Sequence, residues 1–337
     1  MRLERTAARL ALAGDVMLGR GVNEIVARRG NAYPWGDLLP RLWGMDLFAI
    51  NLECALTSVT QPWQPEKAFH FRADPERARV LRLGRVDFAA LANNHIGDFG
   101  PAGLVETVET LDQAGIAHAG AGATLEAARR PAVLRARDYR VVILAWADHP
   151  SEWAAEADRP GINYTPVSLS PDDFPVVDAA IRQARPLADL LVFSIHWGPN
   201  LRERPLPEFQ AFARKVVDAG VDVFWGHSAH LVQGVEARDR RLILYDTGDF
   251  LDDYAVDPSK RNDLSALFVV QFGLFGIERL DLVPVRIAEG RVNHATGRDR
   301  EWVLERIREL SREFDTVLNR TEDGLSLWLG PAPVPSR

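Results

Sequence analysis

The feature that most constrains this chain is a repeated unit: a strand-length apolar run that stops at a polar residue capable of chemistry, followed by a segment of helical period. "LALAG" stops at Asp15, "DLFAI" at Asn51 and Glu53, and "FAALA" at Asn93, Asn94 and His95. "LLVFSI" stops at His196, and "VDVFWG" at His227 and His230. Between these runs, "GRGVNEIVARRG" closes at Gly30. "PAGLVETVETLDQAG" opens on a proline, ends at Gly115 and sets Leu104, Val105, Val108 and Leu111 on one face. "SPDDFPVVDAAIRQAR" and "LPEFQAFARKVVDAG" repeat the helical pattern. Strands alternating with helices specify an α/β protein. Open α/β sheets bind ligands at the carboxyl ends of their strands, so these runs bring an Asp, a Glu, an Asn and four His toward one edge.

After His230 the pattern changes. "HLVQGVEARDRRLILYDTGDF", "LSALFVVQFG" and "IERLDLVPVRIAEGRV" alternate apolar and polar residues in short runs, which predicts antiparallel hairpins. A last helix, "DREWVLERIRELSREFDTVL", closes the fold. No internal repeat or long linker divides the chain, so residues 1–325 are expected to form one domain and 326–337 a flexible tail.

Charge narrows the partners. With 40 Lys and Arg against 47 Asp and Glu, the net charge is −7, which argues against a nucleic-acid partner. Cys54 is the only cysteine, so no disulfide forms within the chain. No run reaches the roughly 20 apolar residues of a membrane span, and the N-terminal residues do not read as a signal peptide. The expectation is a cytoplasmic protein without membrane association.

Imidazole, carboxylate and amide oxygen together suit a divalent metal such as Mn, Fe or Zn, and a shared carboxylate could hold two ions about 3.5–4 Å apart. The same residues could instead transfer protons, each tuning the pKa of the next. Spacing alone leaves both open. Other residues stand at the same edge. His149 follows "VVILAWAD", Trp146 and Trp197 lie at strand ends as candidate pocket walls, and His294 lies past a late strand as a candidate extra base. Arg20 carries a fork of donors suited to a substrate carboxylate or phosphate. His70 is a weaker candidate, and His118 reads as structural.

The pieces "GDVMLGR", "NLECALT", "LANNHIGDFG", "GAGATLEAARRP", "SIHWG", "GHSAHLVQGVE" and "LYDTGDF" run in order over about residues 11–285. In this series the sequence resembles the CapA-type poly-γ-glutamate synthesis proteins, whose fold is metallophosphatase-like (calcineurin-like). The resemblance implies a two-layer β-sandwich flanked by helices. It implies that Asp15 and His230 bind a first metal, that Glu53 bridges, that Asn94, His196 and His227 bind a second, and that His95 is the acid beside the leaving group. The sequence departs from the pattern at Met17, where a ligand His is usual, and at Glu53, where an Asp is usual. Ser228 and Ala229 separate the paired histidines, and Asp249 adds a carboxylate.

The resemblance extends to relatives that epimerise a residue of a ribosomal (lasso) peptide. It therefore implies, as the leading expectation, a peptide epimerase that works by acid/base chemistry without cofactor. Asp15, Glu53, His95, His230 and His294 would be catalytic. Arg20, Asn94, Trp146, His149 and Trp197 would line the substrate, a peptide delivered with or without a partner protein. The alternatives are a di-metal hydrolase of a phosphoester or amide, with Asp15, Glu53, Asn94, His196, His227 and His230 as ligands, and a poly-γ-glutamate synthesis or assembly protein.

Overall fold

The computed structural model describes residues 6–330. Strands β1 (Ala8–Val16), β2 (Leu47–Leu52), β3 (Phe88–Ala90) and β4 (Ala117–Ala119) run parallel and form one half of a first sheet. A second sheet follows from β5 (Ala132–Ala136), β6 (Tyr139–Ala147), β7 (Leu190–His196), β8 (Val223–His227), β9 (Val235–Arg238) and β10 (Arg241–Leu244), in the order β9-β10-β8-β7-β6-β5. The chain then returns to the first sheet. β11 (Asp249–Leu251) lies parallel to β1, and β12 (Leu264–Gly273), β13 (Gly276–Ala288) and β14 (Arg291–His294) form an antiparallel meander beside it. β15 (Asn319–Arg320) and β16 (Leu325–Trp328) complete the far edge.

Side-chain alternation builds the layers. Leu10 and Leu12 of β1 join Val141, Ile143, Val192 and Trp225 in a core between the two sheets. Ala11 and Ala13 face the opposite side, where helices α1 (Arg20–Arg29) and α2 (Gly100–Ala114) cover the first sheet with Val22, Val26, Leu104 and Leu111. The second sheet's outer face is covered by α3 (Phe174–Ala184) and α4 (Pro207–Asp218). The last helix, α5 (Gly297–Arg312), inserts Val303, Leu304 and Ile307 into the core between the sheets. The protein is thus a two-layer β-sandwich flanked by helices. No helix among the described residues is long and apolar enough to cross a membrane.

The fold corrects three expectations. Trp146 falls on the outward parity of β6, in step with Val142 and Leu144, and stacks on Phe193 at 6.1 Å beneath α3 and α4. Trp197 packs on Phe209, Phe212 and Phe224 and donates its indole N–H to the Tyr245 carbonyl at 2.9 Å. Both are core residues of the helical layer and not pocket walls. Residues 326–328, expected in a flexible tail, belong to a strand whose pairing runs from Arg279↔Trp328 to Leu282↔Leu325. The rest of the expected tail from 331 lies outside the described residues. Trp146→Ala removes a fully enclosed indole, so urea unfolding should show a loss of about 3–5 kcal/mol.

Candidate metal and acid/base centre

Two close backbone approaches bring the strand ends together. A Cβ on Gly14 would stand 1.6 Å from the Gly248 carbonyl oxygen, and one on Gly226 would stand 2.1 Å from that of Tyr245. Only glycine allows β1 to meet the 246–249 turn, and β8 to meet the chain after β10, at this distance. The register then places Asp15 between Asn51 on β2 and Asp249 on β11, and sets His196 beside His227 across β7 and β8.

The turn in "GHSAH" answers to Asp246. Ser228 and His230 adopt φ of 117° and 57°, conformations that cost a non-glycine residue on the order of 1–2 kcal/mol each. The buried Asp246 carboxylate holds the turn by accepting the amides of Ala229 and Gly248, both at 2.8 Å. The His230 ring is thereby turned onto Asp249 at 2.8 Å and Asp15 at 3.3 Å.

Two groups of side chains have ligand atoms close enough to share an ion: Asp15, His196 and His227, and Asp15, His230 and Asp249. Asp15 is common to both, whereas the resemblance gives the bridging place to Glu53. Glu53 Oε1 lies 3.8 Å from His196 Nε2 and 4.0 Å from His95 Nε2. Met17 is engaged elsewhere, its sulfur accepting the Gly19 amide at 3.0 Å. Asp249 therefore fills the first group, supplying a carboxylate where the family pattern has an imidazole.

Four buried atoms of the cluster have no hydrogen-bond partner among the described residues: Asp15 Oδ2, Glu53 Oε1, His196 Nε2 and Asp249 Oδ2; Asn94 Oδ1, next to His95 in the chain, is likewise buried and unpartnered. Buried polar atoms are normally paired, with protein, water or an ion. Oxygen and imidazole nitrogen around two carboxylate-rich groups are a donor set that fits Mn, Fe or Zn.

The protonation states divide the histidines. Burial, with His227 beside it, holds His196 well below the usual imidazole range, and burial brings His227 down to about 4. Burial also lowers His95 to about 4 against the pull of Asp98. For His230 burial works the same way, but Asp249, Glu53 and Asp15 outweigh it and keep the ring protonated well above its ordinary range. Burial, then Asp15, raises Glu53 well above the carboxylate range. Asp249 rises to about 6 through burial, against the pull of His230.

The surroundings of this centre include residues that the sequence pointed to and others that it did not. His95 stacks on Phe71 with centroids 3.8 Å apart, and its Nδ1 faces Asp98 at 2.7 Å, so Nε2 looks toward Glu53. Lys67 and the Phe71 amide also hold Asp98, at 2.5 and 2.7 Å. Tyr254 donates its hydroxyl to Glu53 Oε2 at 3.0 Å, and Asn51 donates to Asp15 Oδ1 at 2.7 Å. His149, paired with Asp148, brings its ring to 5.4 Å from that of His196. His294 is not in the centre: its ring faces Asp37 at 2.9 Å from the edge strand β14, which removes it as a base. His70 is bonded to the Gln64 carbonyl, and His118 to Asp112. Sequence reading missed Lys67, Asp98 and Tyr254. Asp98 carried a signal, three residues after His95 in one turn; Lys67 and Tyr254 come from loops without periodicity.

An ion at Asp15, His230 and Asp249 must displace the His230 proton, whereas His196 and His227 are already neutral. Mn2+ binding should therefore split by titration calorimetry into two classes. One should strengthen with pH between about pH 6 and about pH 8 and release close to one proton per ion. The other should be nearly flat over that range.

Comparison with known proteins gives the chain relatives in sequence. The model of the family "Bacterial capsule synthesis protein PGA_cap" matches residues 9–254. A relative named "Probable polyglutamine synthesis accessory protein Rv0574c", from Mycobacterium tuberculosis (strain ATCC 25618 / H37Rv), is 33% identical over 93% of this chain and 94% of its own length. The "Capsule biosynthesis protein CapA" of Bacillus anthracis is 30% identical over 83% of this chain and 68% of its own length. Likeness to solved structures is distant: TT1561 of Thermus thermophilus matches with a TM-score of 0.41 and 11% identity over 82% of this chain and 99% of that one. The matched span ends at Tyr254 and takes in every residue of the centre, and on that match the chain belongs to the PGA_cap (CapA-type) capsule synthesis family.

Proposed function

We propose that the centre is a divalent-metal site that supports hydrolysis of a γ-glutamyl amide, in service of poly-γ-glutamate synthesis. The observation that carries this reading is that three members of the two groups sharing Asp15, namely Asp15, His196 and Asp249, each bury a ligand-type atom with no hydrogen-bond partner among the described residues. The amide class follows the names of the relatives, which place them in polyglutamine and capsule synthesis. Asp15, His196, His227, His230 and Asp249 would hold the metal, with Asn94 and Glu53 beside them. The bound ions would polarise the carbonyl and acidify water.

The chain's own residues do the rest. His95, with its Nδ1–H given to Asp98, presents an unprotonated Nε2 that would take a proton from the attacking water and pass it to the departing amine. Tyr254 pins one oxygen of Glu53 and leaves the other facing the site. Lys67 fixes Asp98 and so the tautomer of His95.

A second reading, Cα epimerisation of a peptide residue without cofactor, has one observation in its favour. Burial keeps His95 neutral while the carboxylates around His230 keep it protonated, a base and an acid that both face Glu53. Elemental analysis of protein purified without chelator, followed by assays in D2O with and without EDTA, separates the two. The expected result is about two Mn, Fe or Zn per chain and EDTA-sensitive cleavage of γ-glutamyl oligomers. His95→Asn should lower kcat by about 10²–10⁴-fold at unchanged metal content. Deuterium entering a peptide Cα in EDTA, with no cleavage, would establish epimerisation instead.

A further inference from the structure

The turn that follows the first site strand holds an arginine in a conformation that does not suit it. Arg20 has φ of 51°, in the left-handed region where a side chain is disfavoured and glycine is at ease. Its neighbours on either side are glycines, Gly19 and Gly21, so the sequence can supply glycine here and does not at the central position. Asp253 clamps the turn. One oxygen accepts the Gly21 amide at 2.9 Å, and the other faces Arg20 Nε at 3.3 Å.

This leaves the terminal nitrogens of Arg20 with no hydrogen bond among the described residues, while the side chain is 38% exposed. The guanidinium lies over Phe69 at 5.8 Å and over Phe71 at 5.6 Å. Phe71 is the ring that stacks on His95 and on Tyr254, the donor to Glu53. Arg20 therefore stands one aromatic ring away from the acid/base end of the centre. Its position is set by the ion pair of Nε with Asp253 and by the two ring faces, and its terminal nitrogens have no hydrogen-bond partner among the described residues. Strained backbone kept at a residue whose side chain is anchored but unsatisfied is what recognition of an external group requires. A guanidinium fork matches a carboxylate in two parallel hydrogen bonds.

We infer that Arg20 is the specificity residue of this site, binding a free carboxylate of the substrate beside the bond to be cleaved. The inference rests on the γ-glutamyl reading above and deepens it: the substrate would present its α-carboxylates, and a polymer with those groups masked would be refused. Asp253 acts through Arg20 as a positioning residue.

The test uses the full chain purified without chelator, in a His95→Asn background that slows turnover so that binding is read; wild type here means Arg20 intact in that background. Tri-γ-glutamate and its α-amidated counterpart are titrated by calorimetry into the wild type, Arg20→Gly and Arg20→Lys. The wild type should prefer the acid form by about 10–100-fold, the range for a bidentate charge-assisted contact. Arg20→Gly, the residue this backbone favours, should keep its Tm and lose the preference. Arg20→Lys should keep a part of it, since the charge remains without the fork. A wild-type preference that survives in folded Arg20→Gly would overturn the role of Arg20 and leave the γ-glutamyl reading standing. Equal binding of both peptides by the wild type, or Arg20-dependent binding of inorganic phosphate in their place, would overturn the assignment to a carboxylate. No binding of either peptide would remove the γ-glutamyl reading itself and this inference with it.

Discussion

Asp15 is the constraint on which the rest of the centre depends. It is buried at the end of β1, with Asn51 level on one side and Asp249 on the other. It meets His196, His227 and His230 within 4.0 Å, 3.7 Å and 3.3 Å. Parallel pairing fixes these relations: a slip of one residue would turn Asp15 to the opposite face of the sheet. The close backbone contacts at Gly14 and Gly226 secure that register, so a choice of two glycines decides where every ligand stands.

The charge balance shows what such a cluster demands. Glu53, Asp246, Asp249 and Asp252 are all buried and all displaced upward from the carboxylate range, with burial as the leading cause. The protonated His230 is the cation they share, and its charge opposes each of these shifts. Buried charges persist only when paired or ligating. A chain that placed carboxylates here merely for packing would have done better with apolar residues of similar volume. Excess negative charge around two ligand groups is instead what a cation relieves.

Much of this was legible in the sequence, and the limits have physical reasons. The apolar runs that stop at Asp15, Asn51, Asn94, His196 and His227 predicted both the strands and their common edge, because a sheet aligns its strand ends. The paired histidines of "GHSAH" were readable for the same reason. Trp146 and Trp197 misled because nearness to a strand end does not fix a side chain's face; parity does, and parity follows from which sheet lies inward. His294 misled because β14 is an edge strand of the meander and lies away from the parallel strand ends. Tyr254 and Lys67 were invisible: each reaches the centre from an irregular loop whose path is set by tertiary contacts. Asp249 was noticed as a departure, but its use needed the parallel pairing of β11 with β1, which no local pattern encodes.

That pairing has a consequence for how the molecule comes into being. β11 joins β1 across more than two hundred residues, after the whole second sheet has been laid down. Contacts of such sequence separation form late and slowly. A ribosome-bound or truncated chain ending before Asp249 therefore has His230 without one of its two carboxylate partners. The centre comes into existence only when the last parallel strand closes. An ion that binds it then stabilises the finished fold over every unfinished one by mass action, so metal supply would govern the yield of mature protein as well as its chemistry.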